Sequence, residues 1–366
     1  MRPRRVVLVL LALLVLLLVL GEVGARIGNS LAGKGGAKQS ESASPTLYAP
    51  HPFIGYVLQP GAVSDPKRKR SYRVNSLGFR GEEISRAKPE GTYRIVCVGG
   101  STTWGWDSYS DDKTWPAILQ RTLEASGKLP GDAQRVEVIN AGVPGYTLME
   151  SFVNLKMRVL PLEPDLVIVY HAANDARVIA RGDVLPDYTH MRRVWSEPAP
   201  PSFWATLSNQ SQLLGLILGT ESEQRDLEHI LHVPGFENLP IREAAEVDEG
   251  LAIIETTLRE MNALARANGT ELALCTFAWS LGPHPKPNMQ DWMDHQVALM
   301  ERVNEVIRAV ARSEDAFLID VNAKGPKTRE EFTDIIHLTD AGRRKVAKTI
   351  AAALQWRYGT RFPSAR

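Results

Sequence analysis

The sequence predicts an α/β protein in which helices cover both faces of a parallel sheet. From residue 93 onward, short continuous apolar runs alternate with segments whose apolar residues recur at helical spacing. The continuous runs suit strands that are buried on both faces. Steady alternation of strand and helix predicts right-handed crossovers, and hence a doubly wound sheet between two helical layers.

Five strands and five helices follow from these patterns. The predicted strands are 95–98, 136–140, 166–170, 272–277 and 317–320. The predicted helices are 115–124, 148–159, 251–261, 297–310 and a closing helix that carries Val346, Ile350 and Leu354. With a strand order of 2-1-3-4-5, the third strand separates those of Cys97 and Cys275 by about 9–10 Å, which is too far for a disulfide.

The nearly balanced charge of the chain gives no indication that it binds nucleic acid. Its 366 residues carry 43 basic and 42 acidic side chains, so the formal net charge is +1. The one dense basic cluster, residues 67–70, is typical of a solvated loop, with contact to an anionic lipid or glycan as the alternative. A chain of this length can hold one large domain with attachments, and two cysteines cannot form a disulfide framework.

Residues 1–26 predict a membrane anchor or a secretory signal. Three arginines within the first five residues precede an unbroken apolar run, residues 6–20. The leucine-rich run favours a retained anchor, with the arginines in the cytoplasm and the rest of the chain exported to the periplasm or the cell exterior. Cleavage near residues 23–25 would instead release a secreted protein. Residues 27–49 are rich in Gly, Ser, Ala and Lys and predict a flexible tether.

Two further segments accompany the main domain, which is predicted to span 93–366. Residues 50–92 predict an N-terminal extension packed on that domain, and Tyr72–Gly81 within it resembles a hairpin or an edge strand. Residues 176–245 interrupt the strand–helix rhythm and predict an insertion with structure of its own. Its apolar patch, Leu213–Leu218, fits either a helix packed on the flank of the domain or a lid or acyl-chain groove.

The stretch Tyr93–Gly105 holds the first candidate for chemistry. A buried strand runs into Gly99 and Gly100, and Ser101 follows at the carboxyl end of the strand, where open α/β sheets bind ligands. An ordinary serine in a β-to-α turn is the alternative. No Gly-Lys-Ser/Thr follows, as a phosphate-binding loop requires, and Thr103 replaces the second glycine of the GxSxG nucleophile elbow.

Four turns together predict an acyl-transfer site. Gly145 follows the second strand, Asn174 follows the third, and Asp334 and His337 precede the last helix. Acyl transfer requires a nucleophile, a base, a group that orients the base, and donors for the developing oxyanion. Ser101, His337 and Asp334 match the first three roles. The N–H groups of Ser101 and Gly145 and the side-chain amide of Asn174 match the donors.

Other interpretations of these residues remain open. His171 is an alternative base because it also follows the third strand, but it shares its turn with Asn174 and lacks a carboxylate placed as Asp334 is. Asn174 could instead cap a turn, Asp334 could be a helix-entry residue, and His337 could be a surface histidine with its hydrogen bonds satisfied. No HExxH or comparable spacing of His and carboxylates is present, so a hydrolytic metal site is not predicted.

The four blocks resemble those of the SGNH/GDSL hydrolase superfamily. GGSTTWG is similar to its G-D-S-x-T-x-G block, NAGVPGYT to the block that supplies the oxyanion glycine, HAAND to G-x-N-D, and DIIH to D-x-x-H. The resemblance implies a flavodoxin-like three-layer α/β/α fold and the hydrolysis of esters or thioesters without a cofactor. It further implies that Ser101 is the nucleophile and that Asp334 and His337 complete the triad. Gly145 and Asn174 would complete the oxyanion hole.

Two positions depart from the superfamily pattern. Gly100 replaces an aspartate that is not one of the catalytic groups, so we expect altered packing only. Ala172 replaces the glycine of G-x-N-D, and this replacement bears on the approach of Asn174 to the site.

These observations predict an exported, membrane-tethered serine esterase that cleaves an acyl ester of a glycan, a lipid or a small alcohol through an acyl-enzyme. An O-acyltransferase that uses the same triad to acylate a glycan hydroxyl is the alternative among enzymes. A catalytically inactive module that binds cell-envelope glycans is the alternative from another class.

Overall fold

The computed structural model of the protein describes residues 13, 16–28, 47–64, 71–127, 133–192, 211, 213–214, 238–280 and 290–359. The chain divides into two compact units. The larger unit comprises 44–192 and 235–366, and the smaller comprises 1–43 and 193–234.

Five parallel strands form the central sheet of the larger unit. An antiparallel hairpin of β1 (Tyr48–His51) and β2 (Gly55–Leu58) precedes them in the chain. The sheet strands are β3 (Thr92–Gly99), β4 (Arg135–Gly142), β5 (Leu166–Tyr170), β6 (Glu271–Cys275) and β7 (Phe317–Ile319). Their order is β4-β3-β5-β6-β7, and all neighbours pair in parallel. The predicted parallel sheet and its order 2-1-3-4-5 are confirmed.

The helices of the larger unit lie between these strands along the chain, except for the last two, which follow β7. They are α1 (Ser101–Trp104), α2 (Trp115–Ser126), α3 (Leu148–Asn154), α4 (Ala173–Ile179), α5 (Asp248–Ala267), α6 (Gln290–Ser313), α7 (Val321–Lys324) and α8 (Asp340–Gly359). Helix α2 packs against α8, whereas α5 packs against α3 and α6. Gly127, predicted as the stop of α2, ends it with φ +63.

The core surrounds the strands, as their continuous apolar runs predict. Every residue of β5 is buried, and Ile95–Val98 of β3 are fully so. Cys97 and Cys275 are buried free thiols on β3 and β6, with β5 between them, as predicted. The fourth strand ends two residues earlier than expected, because the N–H of Phe277 donates to the side chain of Asn304 (2.7 Å) rather than to a neighbouring strand.

The N-terminal extension is joined to the sheet at β4. The predicted hairpin within Tyr72–Gly81 is a tight antiparallel turn, in which Val74 bridges to Arg80. Arg80 also bridges to Asn140 of β4, and its N–H donates to the Asn140 carbonyl at 3.1 Å. The β1–β2 hairpin was not among the predicted elements.

The smaller unit is described only in part. Residues 16–28 are helical, and the carboxylate of Glu22 accepts hydrogen bonds from Ser211 Oγ (2.8 Å) and from the N–H of Leu213 (3.0 Å). Across the described ranges, no helix is both long and apolar enough to span a membrane. Three predicted segments lie wholly or largely outside the described residues: the basic cluster (67–70), most of the apolar patch (215–218) and much of the anchor (1–12, 14 and 15).

Candidate active site

Ser101 lies where β3 meets α1, at the carboxyl edge of the sheet. Gly99 of β3 pairs with Gly142 of β4, and α1 packs directly on these two strand ends. A Cβ atom on Gly142 would lie 2.4 Å from the backbone nitrogen of Trp104, and one on Gly99 would lie 2.1 Å from Thr103 Oγ1. The two glycines therefore allow the close approach that sets the position of Ser101.

A serine, a histidine and an aspartate are hydrogen-bonded in series at this edge. Ser101 Oγ lies 2.9 Å from His337 Nε2, and His337 Nδ1 lies 2.6 Å from Asp334 Oδ2. With the proton on Nδ1, the ring donates to Asp334 and its Nε2 accepts from Ser101. This is the geometry in which an imidazole can take a hydroxyl proton while a carboxylate stabilises the resulting cation.

Asp334 is held in its ionised form. The N–H groups of Ile336 (2.8 Å) and His337 (2.7 Å) both donate to Asp334 Oδ1. Burial raises the pKa of Asp334, but the hydrogen bond and charge of the His337 ring and these two N–H donors outweigh burial and bring the pKa to about 2. Asp334 is consequently a carboxylate throughout the neutral and mildly acidic range.

The loop that carries His337 is fastened to the loop after Ser101. Phe332 bridges to Leu338, and the N–H of Thr333 donates to the His337 carbonyl at 2.7 Å. Thr333 Oγ1 donates to the carboxylate of Asp107, which follows α1. Sequence reasoning missed Asp107 and Thr333, because nothing in either local segment indicates that they pair.

Gly145 lies in a type II turn formed by Val143–Tyr146. Pro144 and Gly145 occupy its central positions, Gly145 has φ +82, and the N–H of Tyr146 donates to the Val143 carbonyl at 3.1 Å. Among the described residues, the N–H groups of Gly145 and Ser101 donate to no protein acceptor. Both predicted backbone donors are therefore available to a ligand.

Asn174 reaches the same place from the start of α4. Its Nδ2 donates to the carbonyl of Tyr146 at 2.8 Å, which leaves the second amide proton for another acceptor. A Cβ on Gly100 would lie only 2.9 Å from Asn174 Nδ2. The expectation that Gly100 affects packing alone is thus too narrow, since its missing side chain makes room for Asn174. Ala172 has φ −177, which any residue adopts, so the missing glycine causes no strain there.

His171 lies in a separate, buried cluster. Its Nε2 is 2.7 Å from Ser151 Oγ, whereas Asp175 Oδ2 lies 3.5 Å from its Nδ1 and forms no hydrogen bond, so this carboxylate is not placed as Asp334 is. His171 is only 5% exposed and Ser151 only 1%. Asp175 Oδ1 also accepts the N–H of Leu148 at 2.7 Å, so this cluster ties α4 to the start of α3.

Arg80 of the extension fixes the turn that carries Ser101. Its Nη1 donates to the carbonyls of Trp104 (2.8 Å) and Gly105 (3.0 Å), and its Nε pairs with Asp111 Oδ1 at 2.8 Å. The guanidinium carbon also lies 4.5 Å from the centre of a Trp104 ring. Arg80 thereby satisfies carbonyl groups that a four-residue helix leaves unpaired at its end.

A buried ion pair supports the Gly145 turn. Arg192 pairs with Glu150 and donates from Nη2 to the Gly145 carbonyl at 2.6 Å. Burial alone would raise the pKa of Glu150, but the charge of Arg192 and the hydrogen bonds from Arg192 and Thr147 hold it below its usual range. Neither residue of this pair belongs to a motif that the sequence offered.

A doubly wound parallel sheet with serine, histidine and aspartate in series at its carboxyl edge is the arrangement of serine-dependent ester hydrolases. Residues 97–345 match the profile of the GDSL-like Lipase/Acylhydrolase family, so the chain belongs to this family of carboxylic ester hydrolases, as the sequence motifs predicted.

Several solved structures are similar to this chain. They include the lipase/acylhydrolase from Enterococcus faecalis (17% identity, TM-score 0.44, 72% of this chain and 96% of that chain covered). A variant of the acetyl xylan esterase Axe2 from Geobacillus stearothermophilus has 15% identity and a TM-score of 0.41, with 75% and 97% covered. A GDSL-like lipase from Bacteroides thetaiotaomicron has 13% identity and a TM-score of 0.41, with 76% and 93% covered. At these scores the likeness carries no conclusion about substrate. A comparison with curated proteins found no match.

Proposed function

We propose that this protein is an exported, membrane-tethered serine esterase that hydrolyses an acyl ester of a glycan, a lipid or a small alcohol. The observation that carries the proposal is the hydrogen-bonded series Ser101–His337–Asp334, with distances of 2.9 and 2.6 Å, inside the segment that matches the esterase family.

In the first half of the reaction, Ser101 Oγ attacks the ester carbonyl carbon while its proton passes to His337 Nε2. The carbonyl oxygen becomes an oxyanion that accepts hydrogen bonds from the N–H groups of Ser101 and Gly145 and from Asn174. When the tetrahedral intermediate collapses, the C–O bond to the alcohol breaks and His337 returns the proton to the leaving oxygen. An acyl-enzyme on Ser101 remains.

In the second half, water attacks the acyl carbon and gives its proton to His337. The Ser101 ester bond breaks, Ser101 Oγ recovers the proton, and the carboxylic acid leaves. Asp334 stays ionised through both halves, consistent with its low pKa, and stabilises the imidazolium each time that it forms.

Export and tethering rest on the N-terminal segment. Arginines within residues 1–5 followed by the apolar run 6–20 are typical of a segment that inserts with its basic end in the cytoplasm. The exposed apolar side chains of helical residues 16–20 suit such a segment. Fractionation of cells that express the full chain, with protease protection of the catalytic domain, tests this part separately.

Covalent labelling by a fluorophosphonate tests the catalytic part. We expect labelling at Ser101, its loss in Ser101→Ala, and its near loss in His337→Ala, because only an activated serine reacts quickly. His171→Ala is the control and should still be labelled, since the His171 ring is buried and hydrogen-bonded to Ser151 rather than to Ser101. Failure of the wild-type protein to label would reject the esterase and favour an inactive binding module.

A panel of acyl esters, assayed with and without added sugar acceptors, then addresses the substrate. Hydrolysis that persists unchanged in the presence of acceptors supports the esterase. Preferential transfer of the acyl group to a sugar hydroxyl would reject hydrolysis in favour of O-acyl transfer.

A further inference from the structure

The second oxyanion donor depends on the orientation of a single peptide group. The N–H of Gly145 and the carbonyl of Pro144 belong to the same trans peptide and therefore point in opposite directions. In a type II turn this central peptide is rotated by about half a turn relative to a type I turn, and a Pro-Gly pair can adopt either. If the peptide flipped, the Gly145 N–H would point away from the oxyanion.

The contacts already described do not select this orientation. The hydrogen bond from the Tyr146 N–H to the Val143 carbonyl closes a turn of either type. Arg192 binds the Gly145 carbonyl, which belongs to the following peptide. A contact to the Pro144 carbonyl itself is needed.

Tyr56 provides that contact from strand β2 of the extension. Its hydroxyl donates to the Pro144 carbonyl at 3.0 Å, and the side chain is 3% exposed. The reciprocal bond runs from the Tyr146 hydroxyl to the Tyr56 carbonyl at 2.5 Å, and the two rings meet edge to face with centroids 5.1 Å apart. The hairpin and the turn are thus held together by two hydrogen bonds and a ring contact.

We infer that Tyr56 is a positioning residue of the esterase site: its hydroxyl holds the Pro144–Gly145 peptide in the orientation that aims the Gly145 N–H at the oxyanion, and it strengthens that N–H as a donor. The strengthening arises because a hydrogen bond accepted by the carbonyl of a peptide polarises the N–H of the same peptide. Tyr56 lies outside residues 97–345, the segment that matches the family. The inference rests on the proposed function.

The hydroxyl is a donor at every working pH. Burial raises the pKa of Tyr56 well above its usual range, and the nearby charge of Glu150 adds to this while that of Arg192 opposes it. Tyr56 therefore acts as a neutral hydrogen-bond donor rather than as a titrating group.

Tyr56→Phe removes the hydroxyl and keeps the ring. Losing an entire oxyanion donor lowers kcat by about 10²–10³, and polarisation changes the strength of a hydrogen bond by about 10–30%. We therefore expect kcat to fall roughly two- to eightfold from the lost polarisation, and by up to the full factor of about 10²–10³ if the peptide also reorients, with KM unchanged because the bound ester carries no oxyanion. A trifluoromethyl ketone that forms a hemiketal oxyanion on Ser101 will lose affinity by the same factor, whereas the matching methyl ketone will not.

Tyr358→Phe is the matched control. It also removes a buried tyrosine hydroxyl, one that donates to Glu271 Oε2 at 2.5 Å, but Glu271 opens β6 at the amino edge of the sheet. We expect this variant to change stability without changing kcat. The amide ¹⁵N resonance of Gly145 gives a second measurement, and it will shift in Tyr56→Phe and stay in place in Tyr358→Phe.

Two results would overturn the inference. One is an unchanged kcat and an unmoved Gly145 resonance in folded Tyr56→Phe. The other is a loss of kcat that also occurs in Tyr358→Phe, or a loss of kcat that is accompanied by an equal loss of affinity for the methyl ketone. Failure of the proposed function is distinct, because the wild-type protein would then show no esterase activity, or Ser101→Ala would retain the activity that Tyr56→Phe is measured against.

Discussion

Substitution of Gly100 by alanine is the sharpest test of how the site is assembled. The added Cβ would lie 2.9 Å from Asn174 Nδ2 and 3.2 Å from the Tyr146 carbonyl oxygen. Ordinary contacts begin at 3.4 Å, so the Asn174 amide must recede by about 0.5 Å, whereas the backbone at Tyr146 must yield less. The substitution therefore acts mainly on Asn174, the proposed oxyanion donor, and leaves Ser101 and His337 in place.

The expected effect follows from that displacement. Misplacing a reacting or binding group by 1 Å can lower the rate about 10²-fold, so a shift of half that size predicts a loss of roughly tenfold in kcat. The free energy of unfolding should change little, because the group that must move is the end of the Asn174 side chain.

The assay compares kcat, KM and thermal midpoint for Gly100→Ala, Asn174→Ala and the double variant. If Gly100 acts through Asn174, the double variant will be no slower than Asn174→Ala alone, because the donor can be lost only once. Gly359→Ala is the control, since a Cβ there meets nothing within 4 Å. Multiplicative losses in the double variant, or a tenfold loss accompanied by a lower midpoint, would refute the reasoning.

Three further predictions address Asn174, the Asp334 carboxylate and the two thiols. Asn174→Ala should lower kcat by about 10²–10³, keep KM and still permit slow labelling of the serine; near-full kcat with a lower midpoint would make Asn174 a structural residue. Because the pKa of Asp334 is about 2, its carboxylate contributes stability above pH 3.8 and loses it as pH falls toward 2, so the thermal midpoint of the wild-type protein should fall over that acid range relative to that of Asp334→Asn, whose amide does not titrate; parallel midpoints would contradict the assignment. Burial raises the pKa of both Cys97 and Cys275, so both should resist thiol reagents when folded and react after unfolding without reductant; finding neither would contradict the strand order.

The sheet could be predicted from sequence because its strands are buried on both faces. A continuous apolar run such as Leu166–Val169 has few other interpretations when Pro164 precedes it and a polar turn follows, and β5 has the predicted bounds. Because the buried strands can be located in the sequence, the turns at their carboxyl ends can be located too. Ser101 and Asn174 were identified as candidate site residues in this way. The β1–β2 hairpin was missed because its short strands are ordered by contacts with distant residues, such as that between Tyr56 and Pro144.

The supporting contacts of the site could not be predicted for a related reason. The side chains of Asp107 and Thr333 meet across 226 positions of the chain. Arg80 is one arginine among many until the fold places it over Trp104. Motifs specify the groups that react, whereas the residues that orient them are specified by tertiary structure alone.

The short hairpin Tyr48–Leu58 bears on how the protein responds to heat. Two strands of four residues have little stability of their own, and such elements open at a lower free energy than the core of a sheet. When the hairpin opens, Tyr56 leaves Pro144 and the turn beneath it is free to reorient, although the five-stranded sheet remains folded. Turnover should then decline, reversibly, at temperatures where circular dichroism still reports a native sheet. The upper working temperature of this enzyme is in that case set by the β1–β2 hairpin, and raising it calls for stabilising the hairpin rather than the core.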